Sequence, residues 1–308
     1  MAHVPRLVII GATGWYGRVL LHEYCSAYGE GLARRNLLLV ASRDCSVSIK
    51  LNGEIKVFDV IALKNISNIE LSSYETLFWY AFLLKNQIEV HGANIWRLKN
   101  DEIASQIFDL LKSFPHLRVV FFSSGAALNW RVLPEYDIDP YAHLKIKYER
   151  LLIARGNCIV VYPYATSGSY VSSAKSFALP SFIYQALVNR AIKIDADFPV
   201  VRSYGSAHDF SKLLLKFAEQ VGWDGLPRKI VPVTHTLELQ QLANEVISAL
   251  GLQASVMRPK LLVDKAPSIY TASCFDFPAL MARWGLASMP LSAQIQCMAS
   301  DMLNNDLE

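Results

Sequence analysis

Leu7-Val8-Ile9-Ile10-Gly11-Ala12-Thr13-Gly14-Trp15-Tyr16-Gly17 is the stretch whose reading decides the fold. Four consecutive aliphatic residues describe a strand buried on both faces. Glycines at 11, 14 and 17 describe a sharp turn, and Arg18–Tyr28 continues with helical periodicity. In that order, strand, turn and helix bring backbone amides to an anionic group at the helix N-terminus. Glycine serves there because it turns tightly and keeps side chains out of the way. A packing turn alone does not require three glycines in this register. Gly11, Thr13, Gly14, Trp15, Tyr16 and Gly17 are therefore expected to hold the pyrophosphate of a dinucleotide.

Outward from this stretch, short apolar runs alternate with amphipathic ones. Strands are expected at Leu37–Ala41, Leu77–Phe82, Arg118–Phe122 and Cys158–Tyr162, with helices at Asp101–Leu111 and Tyr141–Ala154. Val47–Leu51 and Glu54–Phe58 flank Asn52-Gly53, the pair that a type I′ hairpin turn prefers. Beyond Pro163 the pattern loosens into a Ser-, Gly- and Tyr-rich loop, Ala165–Ser176, and helices near Pro180–Asn189, Phe210–Gln220 and Leu237–Leu250. The fold class is α/β, a Rossmann-type doubly wound parallel sheet with a smaller C-terminal substrate-binding lobe. Residues 1–165 are expected to form the core, with 200–233 returning to it. Residues 166–199 and 234–308 are expected to form the lobe.

Composition excludes several classes. Of 308 residues, 52% are hydrophobic and 19% charged, enough to bury a large core and too apolar for disorder. The net charge is only +3 and no basic run stands out, so no nucleic-acid partner is expected. The densest apolar run, Leu77–Leu84, is too short for a bilayer, and the N-terminus runs straight into a strand. No membrane association and a cytoplasmic location are expected. The five cysteines are scattered without metal-ligand spacing, which suggests reduced structural thiols and no bound metal.

The end of the second strand selects the cofactor. An acidic residue there accepts from a ribose 2′-hydroxyl, whereas cations favour a 2′-phosphate. This chain has Ala41-Ser42-Arg43. Ser42 is suited to hydrogen-bonding the phosphate, and Arg43 to pairing with it while stacking on adenine. Arg18 offers a second cation. NADP(H) is therefore expected; the competing reading lets Asp44, one register on, take the ribose and favours NAD(H).

Tyr141-Ala142-His143-Leu144-Lys145 places a phenol and an ammonium four residues apart, on one face of a helix. At ~4 Å and an effective dielectric of ~20 their attraction is about 4 kcal/mol, which brings a phenol down by roughly two to three pKa units. A phenol so tuned donates a proton to a carbonyl oxygen as hydride reaches the carbon. Tyr141 and Lys145, with Ser124 from the preceding strand end, are the expected catalytic group.

These segments together resemble the extended short-chain dehydrogenase/reductase superfamily, the group of nucleotide-sugar epimerases, dehydratases and reductases, over nearly the whole chain. The resemblance implies adenine contacts from Asp59 and Val60, and cofactor contacts from Tyr80, Ala81 and Phe82 in a run that lacks the family's histidine. It further implies a structural Asn100 opening a helix, Ser123 beside the cofactor, and Tyr162 and Pro163 at the nicotinamide end. Arg202 matches the arginine that binds the nucleotide diphosphate of the substrate, and a homodimer through the helices near Asp101–Leu111 and Tyr141–Ala154 is implied. Three positions depart from the family: Gly125 stands where a hydroxyl residue is usual, Tyr162 where an arginine is, and Phe177 where an asparagine is. The function so implied is NADPH-dependent reduction of a keto-sugar nucleotide, an NDP-4-keto-6-deoxyhexose. Nucleotide-sugar epimerase or dehydratase, ketoreductase of a non-sugar metabolite, and non-catalytic NADP-binding regulator are the alternatives.

Overall fold

Leu7–Ile10 has no exposed surface and forms β1 of a computed structural model that describes residues 3–85, 87–130, 139–171, 177–262 and 264–304. Part of the loop Ala165–Ser176, residues 172–176, lies outside that description. Two units are distinguished, Met1–Tyr162 with Leu214–Ile230, and Pro163–Leu213 with Val231–Glu308.

In the first unit β1 is followed by α1 (Trp15–Tyr28), α2 (Glu30–Asn36), β2 (Leu37–Ala41), β3 (Cys45–Leu51) and β4 (Glu54–Ala62). Next come β5 (Thr76–Trp79), α3 (Gln87–His91), α4 (Ala93–Ser113), β6 (Arg118–Phe122), α5 (Gly125–Trp130), α6 (Pro140–Arg155) and β7 (Cys158–Val161). The second unit contributes β8 (Ala165–Ser167), α7 (Ala178–Asn189), β9 (Ala191–Lys193), β10 (Val200–Ser206) and the start of α8 (Ala207–Ala218). The chain then returns to the first unit for β11 (Lys229–Ile230). It ends in the second unit with β12 (His235–Glu238), α9 (Leu239–Ala249), β13 (Ser255–Met257), β14 (Ser268–Tyr270), α10 (Asp276–Arg283) and α11 (Leu291–Asn304).

Among the described residues the first unit's sheet has the order β11-β7-β6-β5-β1-β2-β4-β3. All pairings are parallel except the β3–β4 hairpin at the edge. β1 sits between β2 and β5, so the chain reverses its direction of travel across the sheet at β1, and such a switch point opens a crevice at the strands' carboxyl ends. The expected hairpin is present, with Asn52 and Gly53 at φ 50° and 86°. Val47 and Ile49 face in while Ser46 and Ser48 face out, the period of two of a half-covered edge.

Two boundaries differ from expectation. α4 begins at Ala93 rather than near Asp101, so Asn100 lies inside the helix and does not open it. The returning segment is Leu214–Ile230, not 200–233: β10 belongs to the second unit, where it pairs with β12, β14 and β8. A seven-residue strand with partners on both sides draws its surroundings into one sheet, which apolar periodicity alone does not reveal. In that unit α7, α9 and α11 pack on one another, and Ser167 donates to Gln294 at 2.6 Å inside. No described helix is long and apolar enough to cross a membrane.

Candidate active site

At the end of β1 the amides of Gly11 and Ala12 donate to the Val40 carbonyl at 2.8 and 3.0 Å, and Gly14 donates back to Gly11 at 3.0 Å. Gly11 has φ +95°, and a Cβ on it would lie 2.7 Å from the Ala81 nitrogen. A Cβ on Gly17 would lie 2.3 Å from the Gly11 oxygen, so α1 approaches the turn this closely only with glycine there. Among the described residues no side chain caps α1, whose N-cap is Gly14, and Thr13 and Gly14 are exposed. A helix N-terminus left open beside an exposed glycine turn at the switch point fits a pyrophosphate.

The rings of Tyr16, Tyr80 and Phe122 gather beside this turn, with Tyr80 and Phe122 4.3 Å apart and Tyr16 5.5 Å from Phe122. The Tyr80 hydroxyl is buried without a hydrogen-bond partner among the described residues, and burial pushes it well above its usual pKa. The amides of Tyr80 and Ala81 both donate to the Ile10 carbonyl, which lays this segment against the turn.

At the end of β2, Ser42 and Arg43 are exposed. Asp44 is engaged: its carboxylate accepts from the Ala62 amide at 2.7 Å and from Asn65 at 3.3 Å, tying the β2–β3 turn to the end of β4. Arg18 does not stand free as a second cation, because its guanidinium donates to the Ser48 carbonyl at 3.0 and 3.2 Å and clamps α1 to β3. Asp59 and Val60 fall short of the strand's carboxyl edge. They lie opposite Ser46 and Cys45 in the hairpin, while Ile61 and Ala62 are the residues that reach β2. The strand runs on past Val60 to Ala62.

α6 brings Tyr141 and Lys145 to one face, as the spacing requires. Asp139 caps the helix by accepting from the Tyr141 and Ala142 amides, Pro140 occupies its first turn, and Lys85 is ion-paired to the Asp139 cap. Lys145 is only 4% exposed and donates to the Phe122 carbonyl at 2.7 Å. Its Nζ lies 3.8 Å from the Phe82 ring centroid, 5.1 Å from that of Phe121 and 5.8 Å from that of Tyr141. Burial alone pulls the ammonium down to about 7. In this state a backbone carbonyl and an aromatic face engage the ammonium.

Ser124 accepts from the Ala126 amide at 3.1 Å and so caps α5, leaving its hydrogen to donate elsewhere. The neighbouring Ser123 hydroxyl is buried and has no hydrogen-bond partner among the described residues. Tyr162, at the end of β7, is fully buried and donates to the equally buried Glu149 on α6. In the second unit Arg202 donates to the Ser268 carbonyl at 2.8 Å and hydroxyl at 2.9 Å, which joins β10 to β14. Pro163, also of that unit, directly follows Tyr162.

Sequence reasoning missed the support of the Phe82–Leu84 loop. Trp96 donates to the carbonyls of Leu83 and Leu84 at 2.9 and 3.2 Å, while Asn100 accepts from the Leu83 amide at 2.9 Å and donates to Trp96 at 3.1 Å. Their four-residue spacing was legible as one helix face. A second group also escaped notice: Cys297 lies 3.4 Å from the Ser169 hydroxyl and 3.9 Å from His208, and the His208 contact leads in lowering its thiol pKa. All five cysteines are unpaired, and no three His, Cys, Asp or Glu side chains form a metal-holding group among the described residues.

No protein-family model and no curated sequence matches this chain. Solved structures do. The NAD-dependent NDP-hexosamine 5,6-dehydratase TunA, involved in tunicamycin biosynthesis, superposes with TM-score 0.70 at 16% identity, covering 98% of this chain and 99% of its own. UDP-N-acetylglucosamine 4-epimerase from Methanobrevibacter ruminantium M1 gives 0.69 at 14%, over 99% and 100%. UDP-glucose 4-epimerase from Brucella ovis, solved with NAD, gives 0.70 at 15%, over 96% and 98%. The chain therefore has the fold of the extended nucleotide-sugar epimerases and dehydratases along essentially its whole length.

Proposed function

We propose that this chain is a nicotinamide-dependent oxidoreductase acting on a sugar carried by a nucleoside diphosphate, and in particular an NADPH-dependent reductase of a keto-sugar nucleotide, with an NDP-4-keto-6-deoxyhexose as the leading candidate. One observation carries the reading: Tyr141 and Lys145 share a face of α6 in the unit whose glycine turn lies open at the switch point of the sheet. The dinucleotide supplies hydride when bound. The α1 N-terminus and the turn around Gly11–Gly17 would hold its pyrophosphate, and Lys145 would hold the nicotinamide ribose. Tyr141 gives its proton to the carbonyl oxygen as that oxygen becomes an alkoxide, and Ser124 donates a second hydrogen bond. Arg202 is proposed as the substrate-phosphate ligand, for which its guanidinium must exchange Ser268 for the diphosphate.

The NADP(H) preference is supported by exposed Ser42 and Arg43 and by the prior engagement of Asp44 with Ala62 and Asn65. A second reading, a nucleotide-sugar epimerase or dehydratase that retains and recycles NAD, is favoured by fold neighbours solved with NAD. We further propose a homodimer through the outer faces of α4 and α6, which expose Ile95, Leu98, Leu151 and Ile153; a particle of monomer mass in solution scattering at micromolar concentration removes it. Incubation with NADPH or NADH and a panel of nucleotide-linked keto-sugars and hexoses tests the function. Stoichiometric loss of NADPH absorbance with a keto-sugar supports the reductase. Isomerised or dehydrated product without net cofactor consumption supports the recycling enzyme, and no conversion with any substrate overturns both.

A further inference from the structure

Phe82 comes from the β5 end, Phe122 from the β6 end and Lys145 from α6, and the three converge on one buried ammonium. A cation removed from water needs a carboxylate, dipoles or ring faces in exchange. Here the exchange is the Phe122 carbonyl at 2.7 Å and the Phe82 face at 3.8 Å. The other titratable and charged groups nearby, among the described residues, are otherwise occupied. On α6, Tyr141 is edge-on to Phe82 at 5.3 Å between centroids, and Glu149 takes the Tyr162 hydroxyl offered from the end of β7. On α4, Asp101 takes Lys147 and the Tyr148 hydroxyl. From the β5 loop, Lys85 pairs with Asp139, and the Tyr80 ring lies tilted against Phe122. Among the described residues the β6 end adds the hydroxyls of Ser123 and Ser124, and α5 itself carries no titratable side chain. The ring is not loosely placed either: Trp96 and Asn100 hold both ends of the adjoining Leu83 peptide.

We propose that Phe82 is a positioning residue that parks the Lys145 ammonium on the Phe122 carbonyl in the free protein, and that the ring must leave Lys145 before a nicotinamide ribose can engage it. This rests on the cofactor reading above and deepens it. The ammonium directs three N–H bonds, of which the Phe122 carbonyl takes one and the Phe82 face shields another, so a ribose hydroxyl that reaches Lys145 from the Phe82 side competes with the ring. The parked lysine is also drawn down to about 7 by burial, whereas a lysine receiving ribose hydroxyls beside an anionic dinucleotide is favoured in its charged form. Binding then takes up part of a proton near pH 7 to 8 and weakens as pH rises through that range.

The test compares wild type with Phe82→Ala and Phe82→Leu, the leucine variant keeping the volume in case alanine unfolds. Without cofactor, trace labelling with acetic anhydride followed by peptide mass spectrometry reads Lys145 directly. Both variants are expected to label several-fold faster on the high-pH plateau, where the amine is neutral, with the titration midpoint shifted upward; an unchanged plateau rate and midpoint in both overturn the proposal. With NADPH as the probe, fluorescence titration of the variants is expected to show about tenfold tighter binding. Calorimetry at pH 8 in two buffers of different ionisation enthalpy is expected to show smaller proton uptake than in wild type. Weaker binding by both variants makes Phe82 a wall of the site and overturns the proposal. If wild type binds neither NADPH nor NADH, the cofactor reading falls, while the labelling arm still decides whether Phe82 parks Lys145.

Discussion

The two ends of the first unit's carboxyl edge are built differently. The glycine turn after β1 is a backbone device: it works through missing Cβ atoms and amides, and its geometry is set before any ligand arrives. The Lys145 end is a side-chain device, in which a buried cation is held by a carbonyl and a ring that a ligand must displace. Backbone sites are pre-organised and nearly independent of pH, whereas buried side-chain sites store a protonation equilibrium. The difference locates where pH, and where mutation, should act on this protein.

Replacement at the chemical step has the largest expected effect. Tyr141→Phe is expected to lower turnover by about two to four orders of magnitude, as loss of a general acid does, while NADPH affinity from fluorescence titration stays within about twofold. Full activity in this variant would break the comparison, because the side-chain end would then be a packing feature only.

Lys145 comes next. Its amine is held lower in the folded chain than the ordinary 10.5, so it binds fewer protons folded than unfolded between about pH 7 and 10.5, and stability rises with pH across that window. Burial of its charge is a penalty fully present below about 7 and relieved by 10.5. Lys145→Met removes the titration, so the variant is expected to gain on wild type most at pH 6, by at most about 5 kcal/mol, and progressively less towards pH 10. Urea melts of both proteins across that range check it, and parallel curves would refute the buried cation.

Arg43→Ala sharpens the contrast from the open end. It is expected to weaken NADPH by about tenfold or more, the scale of a charge-assisted contact, and to leave NADH nearly unchanged in parallel titrations. Equal losses for the two cofactors would remove the 2′-phosphate assignment. The smallest effect is expected from Ser124→Ala, which loses the α5 cap at about 1 kcal/mol and lowers turnover less than Tyr141→Phe. A turnover loss matching Tyr141→Phe would make Ser124 an equal partner in the proton transfer.

Local chemistry in the sequence decided a good deal here. An apolar run before three glycines can only be a buried strand entering a tight turn, Asn-Gly between alternating strands can only be a hairpin, and a four-residue spacing must put Tyr141 and Lys145 on one helical face. Each is a property of a few adjacent residues, and the structure carries all three. What depended on distant partners was not legible. Arg18 reads as a second cation until β3 brings the Ser48 carbonyl to it, and the competing reading of Asp44 as a ribose ligand stays open until the end of β4 supplies the Ala62 amide. Asp59 reads as an adenine contact until the register with β2 shows the strand running on to Ala62. Nor does the sequence show that Phe82 and Phe122, some 63 and 23 positions earlier, close around the Lys145 ammonium. Turn chemistry and helical spacing act over a few residues of chain, but where a charge spends its hydrogen bonds depends on which strands and loops the fold brings within about 3 Å, and only the tertiary structure decides that.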